Sequence, residues 1–347
     1  MPRMNDVTLL RAIREQPPAP VYLIYGSETY YSGVCLDRLL GKLVKKGTES
    51  FNLRRYDGET LDMTALRNEC ESLPLMADYK CVVVTDLNLA SLSEPARKTL
   101  EGILDDPNPS TVLIFYMKAY EPQPKKSAKV KKLMEKIEKV GVVAEINPKT
   151  RGELSKILRQ KFQKAGCEIS PAFAGFMVDR CGSGMETLLQ EADKLIAYKG
   201  QGEITKADIE LITHKTLEST VFDLTRALFG SRPETAFQIL QDLFAEREEP
   251  MRILSVLSSS VLDLYRAKAA LNAGKGMEDI LALYSYGGRA FLVKNAIQDA
   301  PRYSMRSLRA AVEVLTDTET AMKSGGGEDK TLLEEAVFKI LTLRSKG

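Results

Sequence analysis

The chain has 347 residues, of which 44% are hydrophobic and 28% are charged, a balance typical of a globular protein. This length exceeds what a single hydrophobic core usually organises, so we expect two or three domains. The formal net charge of +2 gives the chain as a whole no strong electrostatic attraction to nucleic acid.

The cysteine and histidine content argues against a metal site. The five cysteines are widely spaced, no CxxC pair occurs, and His214 is the single histidine of the sequence. The usual zinc spacings are therefore excluded, and we expect neither a metal nor a cofactor. Free thiols within apolar runs are typical of the reducing cytosol. Because the amino terminus lacks the apolar core of a signal peptide and no run is long enough to span a bilayer, we predict a cytoplasmic protein without a membrane partner.

The first part of the chain alternates strand and helix patterns. Val21–Tyr25 is a continuous apolar run that ends at Gly26, as expected of a strand buried on both faces. The other predicted strands are 51–56, Lys80–Thr85, Thr111–Tyr116 and 142–146, and the predicted helices between them include 28–43, Met63–Glu71 and 94–104. This alternation predicts a parallel sheet with helices on both faces.

After Pro148 the strand signal stops and the patterns become helical. Predicted helices cover 151–165, Pro171–Cys181, 185–198 and a short segment capped by Thr205, followed by 221–229, 233–247, 250–273, 287–299, 304–322 and 330–344. The sequence therefore predicts three domains. These are an α/β domain over residues 1–146, a small helical domain over 147–213 and a larger helical domain over 214–347.

A short connection between a helix and a strand carries two unexpected apolar side chains. The helix Met63–Glu71 stops before Pro74, the next strand begins near Lys80, and Leu75 and Met76 lie between them. Most loop apolar residues fold back onto their own domain, and the residue pattern alone favours that interpretation. The alternative is a hydrophobic plug that fills a pocket on another protein. Exposed apolar side chains are unfavourably hydrated, and contact with a partner would remove them from water.

The first strand, Gly26 and the following helix occupy the position of a phosphate-binding loop. That loop needs G-x-x-x-x-G-K-[ST], in which backbone N–H groups hold the phosphates and the lysine neutralises them. Here Gly33 is displaced, no lysine follows it, and Glu28 would repel phosphate. After the third strand Asp86 is followed by Leu87, so the acidic pair of many ATPases is missing. We predict a nucleotide-binding type of fold without nucleotide chemistry and without catalytic residues.

Several segments, taken in order along nearly the whole chain, carry a resemblance to a known family. They are 21–28, 72–76, Asp106-Pro107 before 111–115, 188–195 and 218–224. In these segments the chain resembles the delta subunit of bacterial DNA polymerase III. No one of these motifs is diagnostic alone, and the specificity lies in their order.

The resemblance implies both a fold and a function. It implies AAA+-like first and second domains, the second a lid, a helical collar as the third, and no ATP hydrolysis. Family members belong to the DNA polymerase holoenzyme, in a five-subunit clamp loader with ATPase subunits and a delta-prime subunit. They open the sliding clamp, the beta subunit, so that the complex can load it onto primed DNA.

The resemblance also implies which residues contact the clamp. The family's contact pair after the proline is usually Leu-Phe, and here it is Leu75 and Met76, with Leu73 and Pro74 beside them. Methionine is apolar and adaptable, so we expect the contact to survive with an altered fit.

Two functions of other classes remain as alternatives. One is an active AAA+-type ATPase with an unorthodox nucleotide loop. The other is a DNA-binding regulatory protein that uses its helical domain, which would bind duplex alone and with a steep salt dependence.

Overall fold

A computed structural model describes residues 3–284, 286 and 290–343. The chain forms two compact units, Met1–Pro148 and Lys149–Gly347. The predicted division of the second unit near residue 213 remains a prediction. Among the described residues, no helix combines the length and apolar character needed to cross a membrane.

The first unit is built around a five-stranded, all-parallel sheet with the strand order β2-β3-β4-β1-β5. Its strands are β1 (Val21–Tyr25), β2 (Leu53–Asp57), β3 (Lys80–Thr85), β4 (Thr111–Tyr116) and β5 (Val142–Glu145). Its helices are α1 (Asp6–Glu15), α2 (Thr29–Leu43), α3 (Glu49–Asn52), α4 (Met63–Glu71), α5 (Glu94–Asp105) and α6 (Ala128–Val140).

Successive apolar residues along the strands lie on opposite faces of this sheet and fill one core on each face. Leu23 of β1 packs with α4, α5 and α6, whereas the neighbouring Tyr22 and Ile24 pack with α1 and α2. All five residues of β1 are buried. Because helices cover both faces, the central strands read as continuous apolar runs, which is why the sequence predicted them.

Two details of this unit differ from the prediction. The predicted strand 51–56 was wrong at its start, since Phe51 and Asn52 belong to the short helix α3 and β2 begins at Leu53. The Asn52 N–H donates to the Thr48 carbonyl at 2.9 Å, which closes a helical turn there. Helix α1 was not predicted from the sequence.

The second unit is mainly helical. Its elements are α7 (Arg151–Lys164), β6 (Cys167–Ile169), α8 (Pro171–Cys181), α9 (Met185–Lys199), β7 (Gly202–Ile204), α10 (Lys206–Ile212), α11 (Leu217–Phe229), α12 (Pro233–Ala245), α13 (Pro250–Asn272), α14 (Met277–Leu283), α15 (Ala290–Asp299), a 3₁₀ turn (Ala300–Arg302), α16 (Met305–Lys323) and α17 (Asp329–Leu343). The long helix α13 packs against α11, α15 and α16. Of the predicted helical residues, 287–289 and 344 lie outside the described residues.

The prediction that strands stop after Pro148 was wrong. Strands β6 and β7 form a small parallel pair in which Cys167 lies opposite Gly202 and Ile169 opposite Ile204. Strands of three residues are too short to show an alternating pattern beside longer helical signals. The side chains of Cys167, Ile169 and Ile204 are buried, and this burial of apolar surface favours the pair.

Candidate functional site

The connection between α4 and β3, residues 72–79, forms a surface loop that we call the Leu75 loop. Helix α4 begins at the Asp62 cap, whose carboxylate accepts the N–H groups of Thr64 and Ala65 at 3.0 and 3.3 Å. It ends at Glu71 with Ser72 as its C-cap, and Pro74 follows, which has no backbone N–H to continue the helix. The helix end therefore fixes where the loop leaves the domain.

The large apolar side chains of the Leu75 loop face solvent. The exposed fractions are 78% for Leu73, 51% for Leu75 and 82% for Met76, while Pro74 is half-buried. They do not pack into the cores of their own domain, which was the interpretation favoured by the residue pattern alone. Exposed apolar groups this large and this close together are typical of a surface that a partner covers.

One residue of the loop has a backbone conformation that non-glycine residues usually avoid. Met76 has φ of 56°, in the left-handed region. This conformation costs a non-glycine residue about 1–2 kcal/mol. The surrounding structure must therefore hold Met76 in place.

A buried charge network holds the first residue of the loop. Lys80 is 5% exposed, and its ammonium group contacts the Glu69 carboxylate and the Ser72 hydroxyl. The Tyr56 hydroxyl donates to the same carboxylate at 3.1 Å. Burial raises the pKa of Glu69, but the hydrogen bond and charge of Lys80 and the bond from Tyr56 outweigh it, so the net pKa lies below the ordinary value. Glu69 is therefore ionised at neutral pH and fixes Lys80 against the loop.

A second anchor comes from Asn52, 23 residues earlier in the chain. Its Oδ1 accepts the Leu75 N–H at 2.7 Å, and its Nδ2 donates to the Leu75 carbonyl at 2.7 Å. Sequence reasoning missed this residue, because nothing local to position 52 indicates a bond to position 75.

At the position of a phosphate-binding loop, the chain satisfies its own polar groups. Glu28 is 7% exposed, and its carboxylate accepts the Tyr30 N–H at 3.0 Å at the start of α2. This places a negative group at the helix end that would otherwise attract phosphate. Ser32 is buried and donates to the Thr29 carbonyl at 2.9 Å.

The carboxylate of Asp86, at the end of β3, accepts hydrogen bonds from the backbone of the chain. Its Oδ1 accepts the backbone N–H groups of Lys118, Ala119 and Tyr120 at 2.6, 2.7 and 3.1 Å. The carboxylate thus caps the segment that follows β4. Within the described part of the chain, no group of three or more His, Cys, Asp or Glu residues is placed to hold a metal ion.

Burial makes Cys70 and Cys81 poor nucleophiles. All five cysteines are buried. Burial raises the pKa of the Cys70 and Cys81 thiols to about 12. Since the thiolate is the reactive form, these two thiols are unreactive at neutral pH.

Comparison with known proteins assigns both units. Residues 22–144 match the family described as DNA polymerase III, delta subunit, and residues 218–340 match DNA polymerase III delta subunit, C-terminal domain. The DNA polymerase III subunit delta of Bacillus subtilis is 25% identical over 343 residues, 97% of each chain. A probable DNA polymerase III subunit delta of Aquifex aeolicus is 23% identical over 276 residues, 76% of each chain. The solved Bacillus subtilis DNA clamp loader delta protein has a TM-score of 0.68 at 23% identity, covering 97% of this chain and 99% of that one.

The parallel α/β domain followed by helical domains agrees with the fold of that solved protein. The predicted fold class and the resemblance are both confirmed. The two matched segments together cover more than half of the sequence, and the chain belongs to the DNA polymerase III delta subunit family, whose role is in DNA replication.

Proposed function

We propose that this clamp loader subunit binds the sliding clamp through the Leu75 loop and opens the ring. The observation that carries the proposal is the exposure of Leu75 and Met76 on a loop that Asn52 and Lys80 hold in place. A fixed loop with outward apolar side chains suits insertion into an apolar pocket, because little conformational freedom remains to be lost on binding. Leu73 and Pro74 form the rim of the same surface.

Opening a ring in this way needs no chemical step. A protein that binds the open clamp interface more tightly than the closed one shifts the equilibrium by the difference in affinity. Burial of Met76 supplies about 1.5–3 kcal/mol before ordering costs, and burial of the exposed half of Leu75 supplies roughly half as much. The chain itself does not use ATP in this proposal, since Glu28 and Asp86 already have structural partners.

The proposed partners follow from membership in the clamp loader. We place the chain in a hetero-pentamer with ATPase subunits and a delta-prime subunit, which acts in the cytoplasm and reaches primed DNA through the assembled complex. ATP binding by the neighbours would control access to the Leu75 loop. Assembly is assigned to the collar, residues 214–347, where Leu283 and Phe338 expose 74% and 59% of their surface.

The test is clamp affinity and melting temperature measured on the same double variant, Leu75→Ala with Met76→Ala. We expect affinity for the purified sliding clamp of the same organism to fall at least about 100-fold, with the melting temperature unchanged. Met76→Phe should preserve or tighten binding, because it restores the family's usual pair. Leu211→Ala is the control, since Leu211 is 70% exposed in the other unit.

Three results would contradict the proposal. One is a folded double variant with unchanged clamp affinity. Another is clear micromolar heat on titration of the wild-type chain with Mg-ATP, which would favour the nucleotide enzyme. Tight, salt-sensitive binding of duplex DNA by the isolated chain, without clamp binding, would favour the regulatory protein.

A further inference from the structure

Asn52 is a buried polar side chain whose hydrogen bonds serve one residue of another segment. It is 0% exposed and ends the four-residue helix α3. Both bonds of its amide run to the Leu75 backbone at 2.7 Å, one in each direction. A fully buried amide is costly unless it is paired, so this pairing must be maintained for the local fold to persist.

The pairing fixes Leu75 through its backbone and leaves its side chain free for other contacts. Among the described residues, no other hydrogen bond reaches the Leu75 N–H or carbonyl. Leu75 is half-exposed, and the next residue, Met76, is held at φ of 56° with 82% of its surface exposed. The amide of Asn52 is thus the contact that opposes relaxation of this strained, outward-facing turn.

We infer that Asn52 is a positioning residue for the clamp contact, acting through Leu75 rather than touching the clamp. This inference rests on the proposed function, in which Leu75 and Met76 enter a pocket on the clamp. If the competent loop conformation becomes a minor state, the apparent dissociation constant rises by the inverse of its population. Loss of two neutral hydrogen bonds, counted at the low end of their usual net strength, predicts roughly tenfold weaker binding.

The test compares Asn52→Leu and Asn52→Ala with the wild-type chain in two measurements. The first is hydrogen exchange of the free protein, which needs no partner. We expect faster exchange across residues 73–78 and unchanged exchange in Lys80–Thr85. Asn52→Leu keeps the number and branching of the side-chain heavy atoms, so it provides a second variant if Asn52→Ala fails to fold.

The second measurement is affinity for the purified sliding clamp, alone and in the Leu75→Ala, Met76→Ala background. We expect roughly tenfold weaker binding in the wild-type background and no further loss in the double variant, since the side chains being positioned are then absent. Asn108→Ala is the matched control. Asn108 donates to the Cys70 carbonyl at 3.2 Å and accepts from the Ser110 N–H at 2.9 Å, without bonding Leu75.

The outcomes separate this inference from the function on which it rests. Unchanged exchange at 73–78 in both Asn52 variants overturns the inference. So does an equal loss of affinity in both backgrounds, or the same loss from Asn108→Ala. If Leu75→Ala with Met76→Ala binds the clamp as well as the wild type, the proposed function fails, while the exchange result still decides whether Asn52 holds the loop.

Discussion

Two loops of the same α/β domain differ in which of their side chains are buried and which are exposed. At residues 26–33, where related folds hold phosphate, the polar groups turn inward: Glu28 and Ser32 are buried and bond to their own helix. At residues 72–79 the polar backbone is held from behind by Asn52, and the apolar side chains turn outward. The polar groups of the first loop bond within the chain itself, whereas the second loop leaves large apolar side chains exposed.

The contrast shows where this domain can tolerate change. A loop that satisfies its own groups contributes to folding, so substitutions there should lower stability. A loop that exposes apolar groups contributes to binding, so substitutions of those side chains should lower affinity and leave folding intact.

Among the substitutions in these two loops, we expect Gly26→Ala to lower stability the most. Gly26 has φ of 126°, and a Cβ there would lie 2.2 Å from the Ile146 carbonyl oxygen. Because backbone atoms on both sides cannot yield, we expect the free energy of unfolding to fall by about 3 kcal/mol or more. Gly41→Ala is the control, since nothing lies within 4 Å of that position in α2 and it should gain about 0.5–1 kcal/mol. Denaturant unfolding measures both, and equal stabilities would refute the assignment of a structural role to this loop.

The next effect concerns Glu69, which supports the Leu75 loop from inside. Its pKa is lower in the folded chain than in the unfolded one, so its stabilisation is present above the ordinary carboxyl pKa of about 4.3 and is lost as pH falls through the folded value. We expect Glu69→Gln to cost about 1–3 kcal/mol at pH 7, and the two stability curves to converge once the pH falls below the folded pKa of Glu69. Glu71→Gln should change little, because the Glu71–Arg67 pair is exposed. A difference between Glu69→Gln and wild type that persists undiminished at low pH would contradict this prediction.

The smallest predicted effect distinguishes the backbone strain at Met76 from the contact that its side chain makes. Met76→Gly and Met76→Ala both remove the apolar side chain, so both should weaken clamp binding. Only glycine relieves the left-handed φ, so Met76→Gly should be more stable than Met76→Ala by about 0.5–1 kcal/mol. Thermal unfolding of the pair checks this, and a glycine variant that is the less stable of the two would show that the turn is unstrained.

The sequence predicted the elements whose signal is local. The bounds of β1, β3 and β4 agree with the structure, because strands buried on both faces are continuous apolar runs between polar ends. The start of β2 was wrong, because Phe51-Asn52-Leu53 alternates like a strand although a helical turn begins at Glu49. Strands β6 and β7 were missed because each has three residues and is stabilised by the other, 35 positions away.

The candidate site divides in the same way. Leu75 and Met76 stand out in the sequence, since two large apolar residues follow a proline between a helix and a strand. Their exposure, the left-handed φ of Met76 and the bonds from Asn52 depend on contacts between segments far apart in the chain. No local pattern encodes such contacts, so these features required the folded structure.

The position of the Leu75 loop at the start of β3 has a mechanical consequence. Strand β3 is hydrogen-bonded along both edges, to β2 and to β4, in parallel register. At its far end the Asp86 carboxylate joins it to the segment after β4. A force on the loop along the axis of β3 therefore acts on both rows of backbone hydrogen bonds, those to β2 and those to β4, at the same time. A force that reaches β3 from the loop, as in the proposed opening of a ring, is therefore shared with the neighbouring strands β2 and β4.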